Sequence, residues 1–147
     1  MKIIGITSGY FNPIHYGHVL CITESAKSCD FLVVIVNNDR QQILKKGQII
    51  MEENERMNIV QSIKGVDETI LSIDDDRTVC KTLEFLARKY PEDKLIFFKG
   101  GDRSSRESVP ESEICDKCGI DIVFDAGGNE KVNSSSNINK LRGIEKN

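Results

Sequence analysis

The chain has no apolar run approaching the roughly 18 residues that a membrane-spanning helix needs, so no transmembrane segment is expected. It has little net charge: −3 over 147 residues argues against nucleic acid or an anionic membrane as the main partner. It has no even, evenly spaced set of cysteines. The five, at Cys21, Cys29, Cys80, Cys115 and Cys118, do not read as a secreted disulfide framework. Cys115 and Cys118 have CxxC spacing, but no second pair completes a zinc site, and the plain reading is reduced thiols on a short helix. Histidine is scarce, with only His15 and His18, and an HxxH pair alone lacks the further ligands zinc requires. The first residues run straight into a strand pattern with no visible signal peptide, so a cytoplasmic location is expected. No internal repeat, low-complexity segment or interdomain linker is visible, and the expectation is a single domain over 1–147 with a real core.

What the chain does have is alternation. Short apolar runs recur at 2–7, 31–36, 68–73, 95–99 and 121–124, each rich in Ile, Val, Leu or Phe and without clean polar alternation. That is the pattern of strands covered on both faces. Helical patterns lie between them at 19–27, 52–64 and 77–90, the last ending at Pro91. Weaker ones span 111–118 and 136–143. Strand and helix in turn predict an α/β fold, a three-layer Rossmann-like domain with a five-stranded parallel sheet and right-handed crossovers. Ligands of such sheets bind beyond the carboxyl ends of the strands, which would gather the loops after 7, 36, 99 and 124 around one cleft.

The first of those loops carries the densest chemistry. Residues 7–18 read TSGYFNPIHYGH, between the first strand and the first helix. A glycine-bearing turn there directs backbone N–H groups and a helix N-terminus at one point, which suits phosphate. His15 and His18, three apart, share a helix face and offer directed donors without permanent charge. The plainer alternative makes them helix-capping histidines.

Gly9, Phe11, Asn12, His15, Gly17 and His18 in this register resemble the G-x-F-[DN]-x-x-H-x-G-H signature of the cytidylyltransferase-like nucleotidyltransferase superfamily. Further segments are similar to that family: Asn37-Asn38-Asp39 with Lys45-Lys46-Gly47, Glu55-Arg56 with Val66-Asp67-Glu68, and Ser134-Ser135-Ser136 before Ile138. Lys99-Gly100-Gly101-Asp102 resembles the K-G-G-D of heptose-phosphate adenylyltransferases, for which glycerol-3-phosphate cytidylyltransferases have a related M-G-D-D. The resemblance implies transfer of AMP or CMP from a nucleoside triphosphate to a sugar- or polyol-phosphate, with release of pyrophosphate. It implies catalytic roles for His15, His18 and Lys46, the last carried on a loop. It implies nucleotide binding by Ser8, Gly9, Tyr10, Phe11, Gly17, Gly101, Asp102, Ser134, Ser135 and Ser136. Asp39 is expected to face the acceptor, Mg²⁺ to arrive with the triphosphate rather than in a protein cage, and a homodimer follows from resemblance alone. Asp74-Asp75-Asp76 reads as a solvated turn opening a helix.

The pattern is departed from at Asn133, where several members place an arginine; either Lys131 substitutes, Arg103 or Arg106 reaches in, or activity is weakened. Tyr10 stands where small residues are common and would narrow the pocket. Two other readings stay open. One is a catalytically weak nucleotide-binding or regulatory module. The other is an adenylyltransferase for a nucleotide-like acceptor such as nicotinate mononucleotide, to whose enzymes the turn at 11–18 is closest.

Overall fold

The structure, a computed structural model, describes residues 1–99 and 109–124. Ten elements follow one another: β1 (Ile3–Gly9), α1 (Tyr16–Ala26), β2 (Phe31–Val36), α2 (Asp39–Lys46), α3 (Glu53–Gln61), β3 (Glu68–Leu71), α4 (Cys80–Lys89), β4 (Lys94–Lys99), α5 (Ser112–Cys118) and β5 (Asp121–Phe124). The strands form one parallel sheet in the order β3-β2-β1-β4-β5. The expected α/β, Rossmann-like architecture is what the chain adopts.

Side-chain alternation along the strands separates two cores. Ile4, Ile6, Val33, Ile35, Leu95 and Phe97 meet Leu83 and Leu86 of α4 and Cys115 of α5 on one face. Leu32, Val34 and Val36 meet Ile22 of α1 and Val60 of α3 on the other. Each such side chain taken fully out of water contributes roughly 1.5–3 kcal/mol. Burial on both faces is why these strands read as unbroken apolar runs.

The order also positions the site. After β1 the chain steps outward to β2 and β3, then crosses back to lay β4 along the other side of β1, pairing Ile6 with Phe97. The strand that follows β1, β2, lies on one side of the β1–β4 pair and the strand that follows β4, β5, on the other, the arrangement in which a crevice opens beyond the carboxyl ends.

Two expectations need correcting. The segment carrying Lys45 and Lys46 is the helix α2, not a loop. Its inward residues are Gln41 and Gln42, both buried, so it has no apolar stripe for periodicity to detect. Instead Asn38 and Gln41 cap it reciprocally: Asn38 Oδ1 accepts from Gln41 N at 2.8 Å and Gln41 Oε1 from Asn38 N at 3.0 Å. Asp74 is likewise no solvated residue but only 2% exposed. Its carboxylate accepts from Lys81 N, Thr82 N and Thr82 Oγ1 at 2.7, 3.0 and 2.6 Å, capping the first turn of α4. Boundaries shift elsewhere, most usefully for α1, which begins at Tyr16 and makes His15 its N-cap.

Candidate active site

A cleft of about 470 Å³ opens at the carboxyl ends of β1 and β4. Ser8, Gly9, Tyr10, Phe11, His15, Gly17, His18 and Lys46, all anticipated from sequence, line it together. Asp39 does not line it. Gly101, Asp102, Ser134, Ser135, Ser136 and the departure at Asn133 lie outside the described residues, as do Lys131, Arg103, Arg106 and the helix expected at 136–143.

The two histidines cap α1 reciprocally. His15 Nδ1 accepts from Gly17 N at 3.0 Å, and His18 Nδ1 accepts from His15 N at 3.1 Å. A nitrogen that accepts carries no proton, so each neutral imidazole has its proton on Nε2. The rings stack with centroids 3.9 Å apart and 26° between planes. Capping thus occupies Nδ1 of both rings and does not use either Nε2. Burial, then His15, then Lys45 lower the His18 pKa from 6.5 to about 4, which keeps its ring neutral at physiological pH.

The turn that presents them is pinned on both sides. Phe11 takes a left-handed φ of 52° yet is almost fully buried, its ring edge-on to His18 at 5.1 Å. Such backbone costs a non-glycine residue about 1–2 kcal/mol and persists only where its surroundings impose it. Asn12 Oδ1 accepts from Ile50 N and Met51 N at 3.0 and 2.7 Å, holding one side. Arg56 holds the other. It is 1% exposed and donates to Met51 O (2.8 Å), Tyr10 O (2.7 Å), Asn37 O (2.6 Å) and Asp39 Oδ1 (2.6 Å). One planar guanidinium therefore joins the opening turn, the end of β2, the start of α2 and the approach to α3.

That same contact accounts for Asp39. It pairs with Arg56 and lines a separate cavity of about 360 Å³ with Asn38, Glu53 and Ser72, where it was expected at the acceptor. α2 ends at Gly47, whose φ of 79° is the left-handed C-cap that a side chain would strain. The stop leaves Lys45 and Lys46 in the last turn, both on the cleft wall, with Lys45 Nζ 4.1 Å from the centre of the Tyr10 ring.

Sequence reasoning misses Arg56 as a site-building residue, although the Glu55-Arg56 segment resembles the family's; a charged residue amid helical periodicity ordinarily reads as solvated. It also misses Lys45, Gln42, Cys21 and Lys99 as cleft wall. Lys99 sits at the carboxyl end of β4, a position the topology alone marks as ligand-facing.

Comparison with known proteins agrees with this geometry. Residues 6–140 match the family described as cytidylyltransferase-like. The FAD synthase of Aciduliprofundum boonei is 36% identical over 117 residues, 80% of this chain and 72% of that protein. The bifunctional protein HldE of Hyphomonas neptunium is 33% identical over 123 residues, 82% of this chain but 24% of that protein. The chain thus spans about a quarter of the length of that relative. A crystal structure of the lipopolysaccharide core biosynthesis protein from Thermoplasma volcanium GSS1 superposes with a TM-score of 0.60 at 29% identity, covering 84% of this chain and 94% of that one. Matched across its sheet and folded around this strand–turn–helix cleft, the chain belongs to the cytidylyltransferase-like family.

Proposed function

We propose that the protein transfers a nucleoside monophosphate, AMP ahead of CMP, from a nucleoside triphosphate to the phosphate of a sugar- or polyol-phosphate. The observation that carries this reading is the pair of capped, stacked imidazoles with both Nε2–H groups left over in a cleft walled by Lys45, Lys46 and Lys99. An acceptor phosphate is already an anion and needs no strong base. Its oxygen forms a bond to the α-phosphorus while the bond from that phosphorus to the bridging oxygen of pyrophosphate breaks. Catalysis then consists of alignment and of charge stabilisation on the in-line transition state. His18 would donate to the α-phosphate, His15 to a neighbouring phosphate oxygen, and Lys46 would neutralise charge along the chain of phosphates.

Among the described residues no cluster of three or more His, Cys, Asp or Glu is placed to hold a metal. The described cleft wall includes no carboxylate. A Mg²⁺ in this site fits as one liganded by the triphosphate's own oxygens, where it would supply further charge neutralisation.

The sugar- or polyol-phosphate acceptor rests on the K-G-G-D segment and on the likeness to a lipopolysaccharide core biosynthesis protein. The FAD synthase relative favours a second acceptor, flavin mononucleotide. Pyrophosphate release with ATP or CTP, measured across heptose 1-phosphate, glycerol 3-phosphate, flavin mononucleotide and nicotinate mononucleotide, tests both. Tight triphosphate binding with no pyrophosphate from any of them would sink the enzyme reading in favour of a binding module.

A further inference from the structure

A smaller cavity of about 180 Å³, lined by Tyr10 but by neither histidine, adjoins the cleft. The two share Ser8, Gly9, Tyr10, Lys45 and Lys99, and the smaller adds Arg77 and Glu111. Glu111 is 4% exposed. Its Oε2 accepts from Val79 N at 3.0 Å, at the N-cap of α4. Its Oε1 is buried and has no hydrogen-bond partner among the described residues.

A fold that needed only the Val79 contact would be served by one oxygen. Leaving a second carboxylate oxygen dry and unpaired is costly, and such atoms are rare enough in native proteins to require a reason. An ionised carboxylate only accepts, so whatever completes it must donate. An anionic group is repelled by Glu111 itself. A cationic one meets Lys45, Lys99 and Arg77 on the same walls. A neutral donor remains, and the one a polyol phosphate presents is a hydroxyl.

Resting on the transfer reading above, we propose that Glu111 is a specificity-determining residue whose Oε1 accepts from a hydroxyl of the acceptor's polyol chain. The acceptor's phosphate then lies toward His18 and its hydroxylated carbons pass Tyr10 into the smaller cavity, whose wall is largely polar through Ser8, Asn37, Lys45, Arg77 and Glu111. A sugar phosphate and the ribityl chain of flavin mononucleotide both present this chemistry.

Glu111→Gln tests it, because its carbonyl can keep the Val79 cap while its neutral amide replaces a charge-assisted hydrogen bond to the acceptor's hydroxyl by a weaker neutral one. Calorimetry on the full chain, saturated with a non-hydrolysable ATP analogue, would compare glycerol 3-phosphate, a sugar 1-phosphate, flavin mononucleotide and inorganic phosphate. The expected result is a loss of roughly tenfold or more in affinity for at least one hydroxylated acceptor, with ATP analogue and inorganic phosphate unchanged. Whichever acceptor loses affinity names the source. Equal binding by wild type and E111Q overturns the proposal, as does a uniform loss that includes the ATP analogue, or no binding of any polyol phosphate to wild type. If E111Q does not fold, wild type is titrated with deoxy acceptors instead, and the absence of any single hydroxyl worth about tenfold overturns it equally. Glu111-dependent binding without pyrophosphate release would leave the subsite and remove the transferase. Pyrophosphate release indifferent to E111Q would do the reverse.

Discussion

The ring of Phe11 stands edge-on to the imidazole of His18, with centroids 5.1 Å apart and planes at 82°. Phe11 in turn fills the space beside Gly9, where an added Cβ would lie 2.7 Å from the Phe11 ring. Gly9→Ala therefore pushes Phe11, and through it His18. The expected outcome is a loss of about 1–3 kcal/mol in stability, as for other overpacked cores. Turnover should fall more than triphosphate affinity. Denaturant melts and steady-state kinetics check this, and wild-type kcat in G9A would show that His18 is positioned by something else.

His18→Ala should reduce kcat by about 10²–10³, the range found when one donor to a developing charge is removed. The dissociation constant for the triphosphate should change only a few-fold, because the contact strengthens in the transition state. Comparable losses in both would assign His18 to ground-state binding.

The lowered His18 pKa makes a pH prediction with a definite sign. Below pH 6.5 the unfolded chain protonates this imidazole while the folded one resists until about 4. Unfolded protein thus binds more protons across that window, so this contribution is complete above pH 6.5 and is lost as pH falls toward 4. Its size is up to ~3 kcal/mol. Imidazole proton shifts should show one histidine titrating near 4, moving upward when a triphosphate binds. A His18 midpoint near 6.5 in the free protein contradicts the packing described.

Arg56→Met should cost about 3–5 kcal/mol, the usual result of removing one partner from a buried ion pair. Arg56→Lys should recover little, since an ammonium cannot span Tyr10 O, Asn37 O and Asp39 as the planar guanidinium does. Asp39→Asn should be milder, because Asp39 is partly exposed and Arg56 keeps its three carbonyls. Urea denaturation of the three variants gives the order directly.

Lys46→Ala should weaken triphosphate binding by about 10–100-fold, the worth of a charge-assisted hydrogen bond, with a smaller effect on kcat. Fluorescence titration with a labelled nucleotide at two salt concentrations measures it. An unchanged dissociation constant would return Lys46 to the solvated end of α2.

Much of this was legible from the chain. Residues 31–36 and 121–124 have as strands the bounds the sequence predicts; the first is apolar throughout because both its faces are covered, while in the second Asp121 and Val123 are exposed. The turn holding His15 and His18 was legible because strand, glycine-bearing turn and helix start leave a dense local pattern. α2 was not legible, since it packs through the buried Gln41 and Gln42, and the Gln41 amide donates to Asp76 O and Thr78 O, 35 and 37 residues away. Neither were the roles of Asp74 and Asp39. A carboxylate's sequence neighbours do not reveal whether a helix start or a buried guanidinium will meet it.

By itself the sequence determined the alternation of strand and helix, the parallel sheet it implies, and which turn would line the cleft. These depend on periodicity and local backbone chemistry, which act over a few residues. Tertiary structure decided that Asp39 serves Arg56 rather than the cleft, that Lys45 lies across Tyr10, and that Glu111 keeps one oxygen unpaired beside the site. Each of these pairings joins residues 17 or more positions apart, and burial alone sets what such a polar group must find.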